Sequence, residues 1–305
     1  MVLGYEAASG SRVVVVLPTL NEGKAVGQVV DKMKHGLKGY DYRVLVVDGH
    51  SVDGTDRIAE NMGAEVIYQQ GKGYGDALRT GFEYARRQLD AEVIVMMDAD
   101  MTYDPMYIPS LVEPILHDKA DMVLGNRFAG MEKGAMPLVN RLGNSVLSLV
   151  AKLALGLKVF DTQSGMRAFR SSLLDRLGLR AVGMPFAMEM LADAQGAGAR
   201  VVEVPISYRA RIGDTKLSPI KDGGRILGLT VRLMFDVRPL LLFGGIGTVL
   251  GLMSLLLHYM AISGESAYFV FMYLFSFGLV MFGFGFVLAA YRSLRKHKWH
   301  SSQHE

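Results

Sequence analysis

Val93-Ile94-Val95-Met96-Met97-Asp98-Ala99-Asp100 is an unbroken apolar run that stops on two carboxylates. Such a run reads as a strand buried on both faces, the habit of a parallel sheet covered by helices. The pattern recurs outward along the chain. Arg12-Val13-Val14-Val15-Val16-Leu17 stops at Pro18, residues 43–47 stop at Asp48, and Glu65-Val66-Ile67-Tyr68 is a third, shorter run. Helical patterns separate them at residues 22–37, from Ser51-Val52-Asp53-Gly54-Thr55 onward, and at residues 74–89. Alternation of this kind predicts an α/β domain with a mostly parallel sheet. In such sheets ligands gather outside the carboxyl ends of the strands. The polar residues fall there: Pro18-Thr19-Leu20-Asn21-Glu22, Asp48-Gly49-His50-Ser51 and Asp98-Ala99-Asp100.

The two carboxylates carry the most chemistry. Separated by one residue at the end of a buried strand, Asp98 and Asp100 can hold a divalent cation against a diphosphate, and oxygen donors suit Mg²⁺ or Mn²⁺. Gly71-Lys72-Gly73-Tyr74-Gly75 precedes a helix, where backbone N–H groups can cradle a phosphate. It is neither a Walker A loop nor a dinucleotide fingerprint, and a plain flexible turn is the competing reading.

Composition narrows the classes. The 305 residues include no cysteine, which excludes a disulfide framework, thiolate metal sites and thiol catalysis. A net charge of +3 without a basic arm or stripe argues against a nucleic-acid partner. Half of the residues are apolar, and the excess sits late in the chain. Residues 239–263 and 266–290 contain no Asp, Glu, Lys or Arg, and Glu265 lies between them. Each stretch exceeds the ~20 residues a helix needs to cross a membrane. Lys221, Arg225, Arg232 and Arg238 precede the first, and Arg292, Arg295, Lys296 and Lys298 follow the second. The connection Ser263-Gly264-Glu265-Ser266 has no cation, so the positive-inside rule places both termini in the cytoplasm. Residues 218–237 interleave apolar side chains with Lys221, Arg225 and Arg232, as a helix at the headgroup level would. Met1 to Gly10 shows no basic segment followed by an apolar run, so no secretory signal is expected.

Taken together, the motifs resemble a known family. Val15-Val16-Leu17-Pro18-Thr19-Leu20-Asn21-Glu22, residues 46–55, Gly71-Lys72-Gly73-Tyr74-Gly75-Asp76-Ala77 and Asp98-Ala99-Asp100 look like family-2 glycosyltransferases of the GT-A fold. Gly125-Asn126-Arg127-Phe128, Asn140-Arg141-Leu142-Gly143-Asn144 and Asp161-Thr162-Gln163-Ser164-Gly165-Met166-Arg167-Ala168-Phe169 are similar to the dolichyl-phosphate mannose synthase-like branch, and Asp48-Gly49-His50-Ser51, residues 100–105 and residues 131–136 look most like archaeal dolichyl-phosphate hexose synthases of protein N-glycosylation. The resemblance covers residues 12–217. It implies a Rossmann-like nucleotide-sugar-binding catalytic domain over 1–217; the uncharged runs and their flanking cations add a juxtamembrane helix over 218–237, a two-helix membrane anchor over 238–291 (spans at about 239–262 and 267–290) and a basic tail over 292–305. Localisation would be a membrane, with the catalytic domain cytoplasmic.

The resemblance also implies roles. Pro18, Thr19, Asn21, Glu22, Asp48, Gly49, Ser51, Asp53, Lys72, Gly73, Asp98, Ala99, Asp100 and Glu189 would hold the nucleotide sugar. Asp98 and Asp100 would ligate Mg²⁺ or Mn²⁺. Thr102 stands where the mannose synthases commonly have a metal-ligating Gln, and Asp104 is the alternative, unless it opens the next helix. Arg127, Arg141, Ser145 and Arg211 match positions that contact a lipid phosphate. Asp100, Arg127 and Asp161 would be the catalytic group; Asp161 would orient an arginine or touch the donor sugar, and Glu189 would bind sugar hydroxyls or sit in a salt bridge. The implied reaction moves a hexose or N-acetylhexosamine from a nucleotide sugar, a UDP-sugar slightly ahead of GDP-mannose, to dolichyl or polyprenyl phosphate with inversion. The rivals are a membrane transferase with another lipid or glycan acceptor and a silent nucleotide-sugar-binding scaffold. The only tryptophan, Trp299, lies in the tail, so the Gln-x-x-Arg-Trp motif of processive synthases is absent.

Overall fold

In the computed structural model, residues 12–156, 159–183, 185–213, 219–237, 239–259 and 265–301 are described. Met1 to Gly10, Arg238, Ser263-Gly264 and the end of the tail lie outside them. The chain divides into two compact units, Met1–Lys152 with Leu157–Leu227, and Leu153–Gly156 with Gly228–Glu305.

The first unit is built on a seven-stranded sheet. Its strands are β1 (Arg12–Thr19), β2 (Asp41–Asp48), β3 (Glu65–Tyr68), β4 (Val93–Met96), β5 (Met122–Met131), β6 (Arg167–Arg170) and β7 (Val201–Tyr208), in the order β3-β2-β1-β4-β6-β5-β7. Four of the six pairs are parallel and two antiparallel: β1 runs parallel to β2 and β4, β2 to β3, and β5 to β7, whereas β6 is antiparallel to both β4 and β5. Val13 to Leu17 and Val93 to Met96 are fully buried, as expected for central strands covered on both faces. Each such side chain contributes roughly 1.5–3 kcal/mol when removed from water.

Helices α1 (Val26–Gly36), α2 (Thr55–Asn61), α3 (Tyr74–Arg87) and α4 (Ile108–Leu116) provide the crossovers, and α5 (Leu138–Leu155) and α6 (Phe186–Gly196) flank β6 in sequence. Helix α1 begins later than the sequence pattern indicates, because Glu22 belongs to a turn whose carbonyl accepts from the N–H groups of Ala25 and Val26. The strand order reverses at β1, between β2 and β4, which opens a crevice at their carboxyl ends. Two antiparallel steps through β6 give β5 the direction of β4, so β5 and β7 also end at this edge, and β6 starts there.

Helix α7 (Pro219–Val237) follows, its first part in the first unit and its last part in the second. The second unit contains α8 (Pro239–Tyr259) and α9 (Glu265–Ser301), which pack against each other. Two segments are long and apolar enough to cross a membrane, Pro239–Leu256 and Val270–Tyr291, with mean hydropathies of 2.0 and 2.1. Most of each faces outward: Val249, Leu252, Leu279, Val280 and Val287 are about 60 % or more exposed. Helix α9 continues to Ser301, so the start of the basic tail is helical.

Candidate active site

The strand ends meet around a cavity of about 560 Å³. Its wall includes Pro18 and Thr19 on β1 with Leu20 and Glu22 just after it, Gly49 after β2, Gln69 after β3, Asp98 to Asp100 after β4, Arg127 on β5, and Tyr208 on β7 with Arg211 after it. Gly73 and Tyr74 at the start of α3 and Asn140 and Asn144 on α5 complete it.

The ends of β1 and β2 are tied by a buried carboxylate. Asp48 is fully buried; it accepts from the Thr19 hydroxyl (2.9 Å), the Ser51 N–H (2.7 Å) and the Ser51 hydroxyl (2.6 Å). Asn21 takes a left-handed backbone conformation (φ 51°), which lets its N–H donate to the Ser51 hydroxyl while its side chain accepts from the Val52 N–H. Asp53 accepts from the N–H groups of Gly23 (2.9 Å) and Thr55 (3.1 Å). Burial pushes its pKa up, but these hydrogen bonds and the Thr55 hydroxyl outweigh it and the net shift is downward.

Asp98 and Asp100 stand side by side in the cavity wall. Burial, followed by the charge of Asp100, pushes the Asp98 pKa up to about 7. The Tyr74 hydroxyl opposes this by donating to Asp98 Oδ1 (2.9 Å). Asp100 Oδ1 accepts from the N–H (3.0 Å) and hydroxyl (2.5 Å) of Thr102. Two crowded carboxylates with oxygen donors fit a hard divalent cation, whose charge would relieve their repulsion. Among the described residues no group of three or more carboxylate or imidazole side chains is placed to hold a metal, so diphosphate oxygens and water would complete the shell. Thr102 supports Asp100 through its hydroxyl. Asp104 caps the 3-10 turn Pro105–Tyr107, accepting from the Met106 N–H, and pairs with Arg209 (3.0 Å), so it opens the next helical element.

Arg127 and Asp161 form a buried fork. Arg127 Nε and Nη2 each donate to Asp161 at 2.7 Å, and the Arg127 N–H adds a third bond at 3.0 Å. Asp161 is fully buried, Arg127 is 6 % exposed, and the guanidinium lies over the Tyr208 ring at 5.4 Å. The N–H groups of Phe160 and Asp161 are in turn held by Glu203. Of the two roles open to Asp161 in the sequence, these bonds match the one that orients an arginine. Arg211 pairs with Glu22 and with Asp100 Oδ2 (3.2 Å). The chain beneath is fixed by Arg209 N–H to the Thr102 carbonyl and Ile212 N–H to the Asp100 carbonyl.

Other candidates stand elsewhere. Asn21, Asp48, Ser51 and Asp53 shape the loops behind the wall and do not line it. Lys72 is solvent-exposed, and Arg141 and Ser145 lie on an exposed face of α5, one residue round the helix from Asn140 and Asn144. Glu189 does not line the cavity: its carboxylate accepts from the N–H groups of Arg180 (2.9 Å) and Ala181 (2.7 Å). That holds residues 181–182 against α3, where the Gly75 N–H donates to the Val182 carbonyl. A Cβ at Gly75 would lie 2.2 Å from the Ala181 carbonyl oxygen.

Sequence reasoning missed Tyr74 and Tyr103 as site residues. Tyr103 is 1 % exposed, and its hydroxyl oxygen accepts from the Gly165 N–H at 2.7 Å. It also missed the clamp made by Arg167, fully buried, which donates to the carbonyls of Ser164, Ala187 and Thr162. Burial lowers the Arg167 pKa to about 10, leaving it cationic at neutral pH. The available signal was slight, an arginine heading the short apolar pair Ala168-Phe169.

The family model for "Glycosyl transferase family 2" matches residues 14–178. The chain belongs to this family. Its fold is shared by glucosyl-3-phosphoglycerate synthase of Mycobacterium tuberculosis, crystallised with Mn²⁺, UDP and glucosyl-3-phosphoglycerate (TM-score 0.60, 25% identity, 74% of this chain and 80% of that one). In sequence the glycosyltransferase is 37% identical over 235 residues to a dolichyl-phosphate hexose transferase of Haloferax volcanii, covering 73% of this chain and 94% of that one. It is 31% identical over 230 residues to an undecaprenyl-phosphate mannosyltransferase of Micrococcus luteus, covering 72% and 93%.

Proposed function

We propose that this glycosyltransferase moves a hexose or N-acetylhexosamine from a nucleotide sugar, UDP-linked in preference to GDP-mannose, to dolichyl or another polyprenyl phosphate, with inversion at the anomeric carbon. One observation carries the reading: the carboxylate pair and the Asp161-held guanidinium of Arg127 line the same cavity. The names of the two curated relatives favour a polyprenyl-phosphate acceptor, and the UDP and Mn²⁺ in the structural relative favour the donor and a divalent cation.

A lipid phosphate has its second pKa near ~6, so it is mostly dianionic at neutral pH and hardly needs a general base. The protein's task is to bring two anionic groups together and aim them. Asp98 and Asp100 would hold Mg²⁺ or Mn²⁺ against the donor diphosphate; when bound, the cation supplies Lewis-acid stabilisation of the leaving nucleotide. Arg127, kept in one orientation by its two bonds to Asp161, presents a guanidinium edge to the acceptor phosphate. Arg211 would add a second cation. The carbon attacked becomes oxocarbenium-like, and the acceptor oxygen enters opposite the departing diphosphate.

The lipid would approach along α5. Leu138, Leu142, Val146 and Leu149 recur on one face and are half to four-fifths exposed, beside the cavity-lining Asn140 and Asn144. In this reading α8 and α9 anchor the chain with both termini cytoplasmic. A donor-consumption assay with Mn²⁺, run with and without polyprenyl phosphate, tests the proposal. Release of nucleotide that depends on the lipid phosphate is expected; donor binding without turnover under either condition would instead identify a silent binder.

A further inference from the structure

The two metal-site aspartates are held in the same way by residues outside the proposed ligand set. Asp98 Oδ1 accepts from the Tyr74 phenol at 2.9 Å, and Asp100 Oδ1 accepts from the Thr102 hydroxyl at 2.5 Å and its N–H at 3.0 Å. The second oxygens have different surroundings. Asp98 Oδ2 faces Gly165, where an added Cβ would lie 2.5 Å away, and Asp100 Oδ2 lies 3.2 Å from Arg211 Nη1. A cationic group therefore already recognises the Oδ2 side of Asp100.

The position of Tyr74 is itself closely determined. It is the first residue of α3, between Gly73 (φ 91°) and Gly75. Both flanking glycines back onto the carbonyls of residues 181–182, at distances no side chain would allow. The first turn of α3 is thereby fixed against that segment, and the Tyr74 side chain lines the cavity.

We propose that Tyr74 and Thr102 are paired positioning residues, each fixing the orientation of one aspartate of the cation-binding pair through its Oδ1. The inference rests on the metal assignment made above. Hydrogen-bond partners of this kind typically control metal affinity by about 10–100-fold.

The test is titration of MnCl₂ into the full-length protein in detergent with excess UDP, following the electron paramagnetic resonance signal of free Mn²⁺. Tyr74→Phe preserves the ring and removes the donor; Thr102→Val removes the hydroxyl, and Thr102→Ser restores it. The Kd for Mn²⁺ is expected to rise about tenfold or more in Tyr74→Phe and Thr102→Val and to stay near wild type in Thr102→Ser. At saturating Mn²⁺ turnover should recover, so the loss appears in the metal requirement more than in kcat. A Kd within about twofold of wild type for either deletion, or a loss in Thr102→Ser equal to that in Thr102→Val, overturns the proposal. Wild-type protein that binds no Mn²⁺ with UDP would remove the metal assignment as well; normal wild-type binding with unchanged variants removes this inference alone.

Discussion

Replacing Asp161 with Asn keeps the shape of the side chain and removes the charge that compensates Arg127. In the folded protein Asp161 accepts three bonds from Arg127, two of them charge-assisted at 2.7 Å, and is fully buried. An asparagine would turn one acceptor into an NH₂ group facing the guanidinium, donor against donor. Breaking a buried ion pair by removing one partner costs about 3–5 kcal/mol. At about 2–4 °C per kcal/mol for a unit of this size, the midpoint should fall by about 6–20 °C. That is less than the roughly 5–15 kcal/mol that holds a typical domain together, so a folded but weakened protein is expected. The double variant Arg127→Met/Asp161→Asn tests the cause, because it also removes the stranded charge. Thermal unfolding in detergent should show most of the lost midpoint regained in the double variant, while transfer to polyprenyl phosphate remains absent for want of the guanidinium. An Asp161→Asn midpoint within about 2 °C of wild type, or a double variant no more stable than the single one, would refute the reasoning.

Three further outcomes follow from the same geometry. Asp100→Ala should abolish transfer at any Mn²⁺ concentration, since one of the two carboxylates is lost; wild-type turnover in a radiolabelled-donor assay would sink the metal assignment. Gly75→Ala places a methyl 2.2 Å from the Ala181 carbonyl oxygen, a backbone atom with little freedom, and should cost about 1–3 kcal/mol in chemical unfolding. Asp53 has a folded pKa below its ordinary value, so its stabilisation is complete at neutral pH and fades as pH falls through the lowered value. The stability difference between wild type and Asp53→Asn should therefore shrink below about pH 4, measured by unfolding at a series of pH values.

The first half of the sheet was legible because β1, β2 and β4 are continuous apolar runs that end in polar residues at the crevice. The second half was not. Strand β6 is only four residues long with an arginine at each end, β5 contains Gly125, Asn126 and Arg127, and β7 carries Pro205 with a half-exposed pattern. None of these looks like a buried strand until its neighbours are in place. Among site residues, Asp98 and Asp100 declared themselves by spacing. The Arg127–Asp161 fork joins residues 34 apart, which periodicity cannot report. The carboxylates of Asp48 and Glu189 are engaged by nearby hydroxyl and N–H groups, which only the folded loops bring within reach. Tyr74 was hidden because a tyrosine at the start of an amphipathic helix reads as ordinary packing.

The central claim is that the acceptor is a lipid phosphate. Full-length protein with Mn²⁺ and radiolabelled UDP-sugars or GDP-mannose should be offered polyprenyl phosphate, the free polyprenol and diacylglycerol in parallel. A labelled lipid product with polyprenyl phosphate alone is the expected result. Transfer to polyprenol or diacylglycerol, or no lipid-linked sugar from any of these donors, would contradict the account.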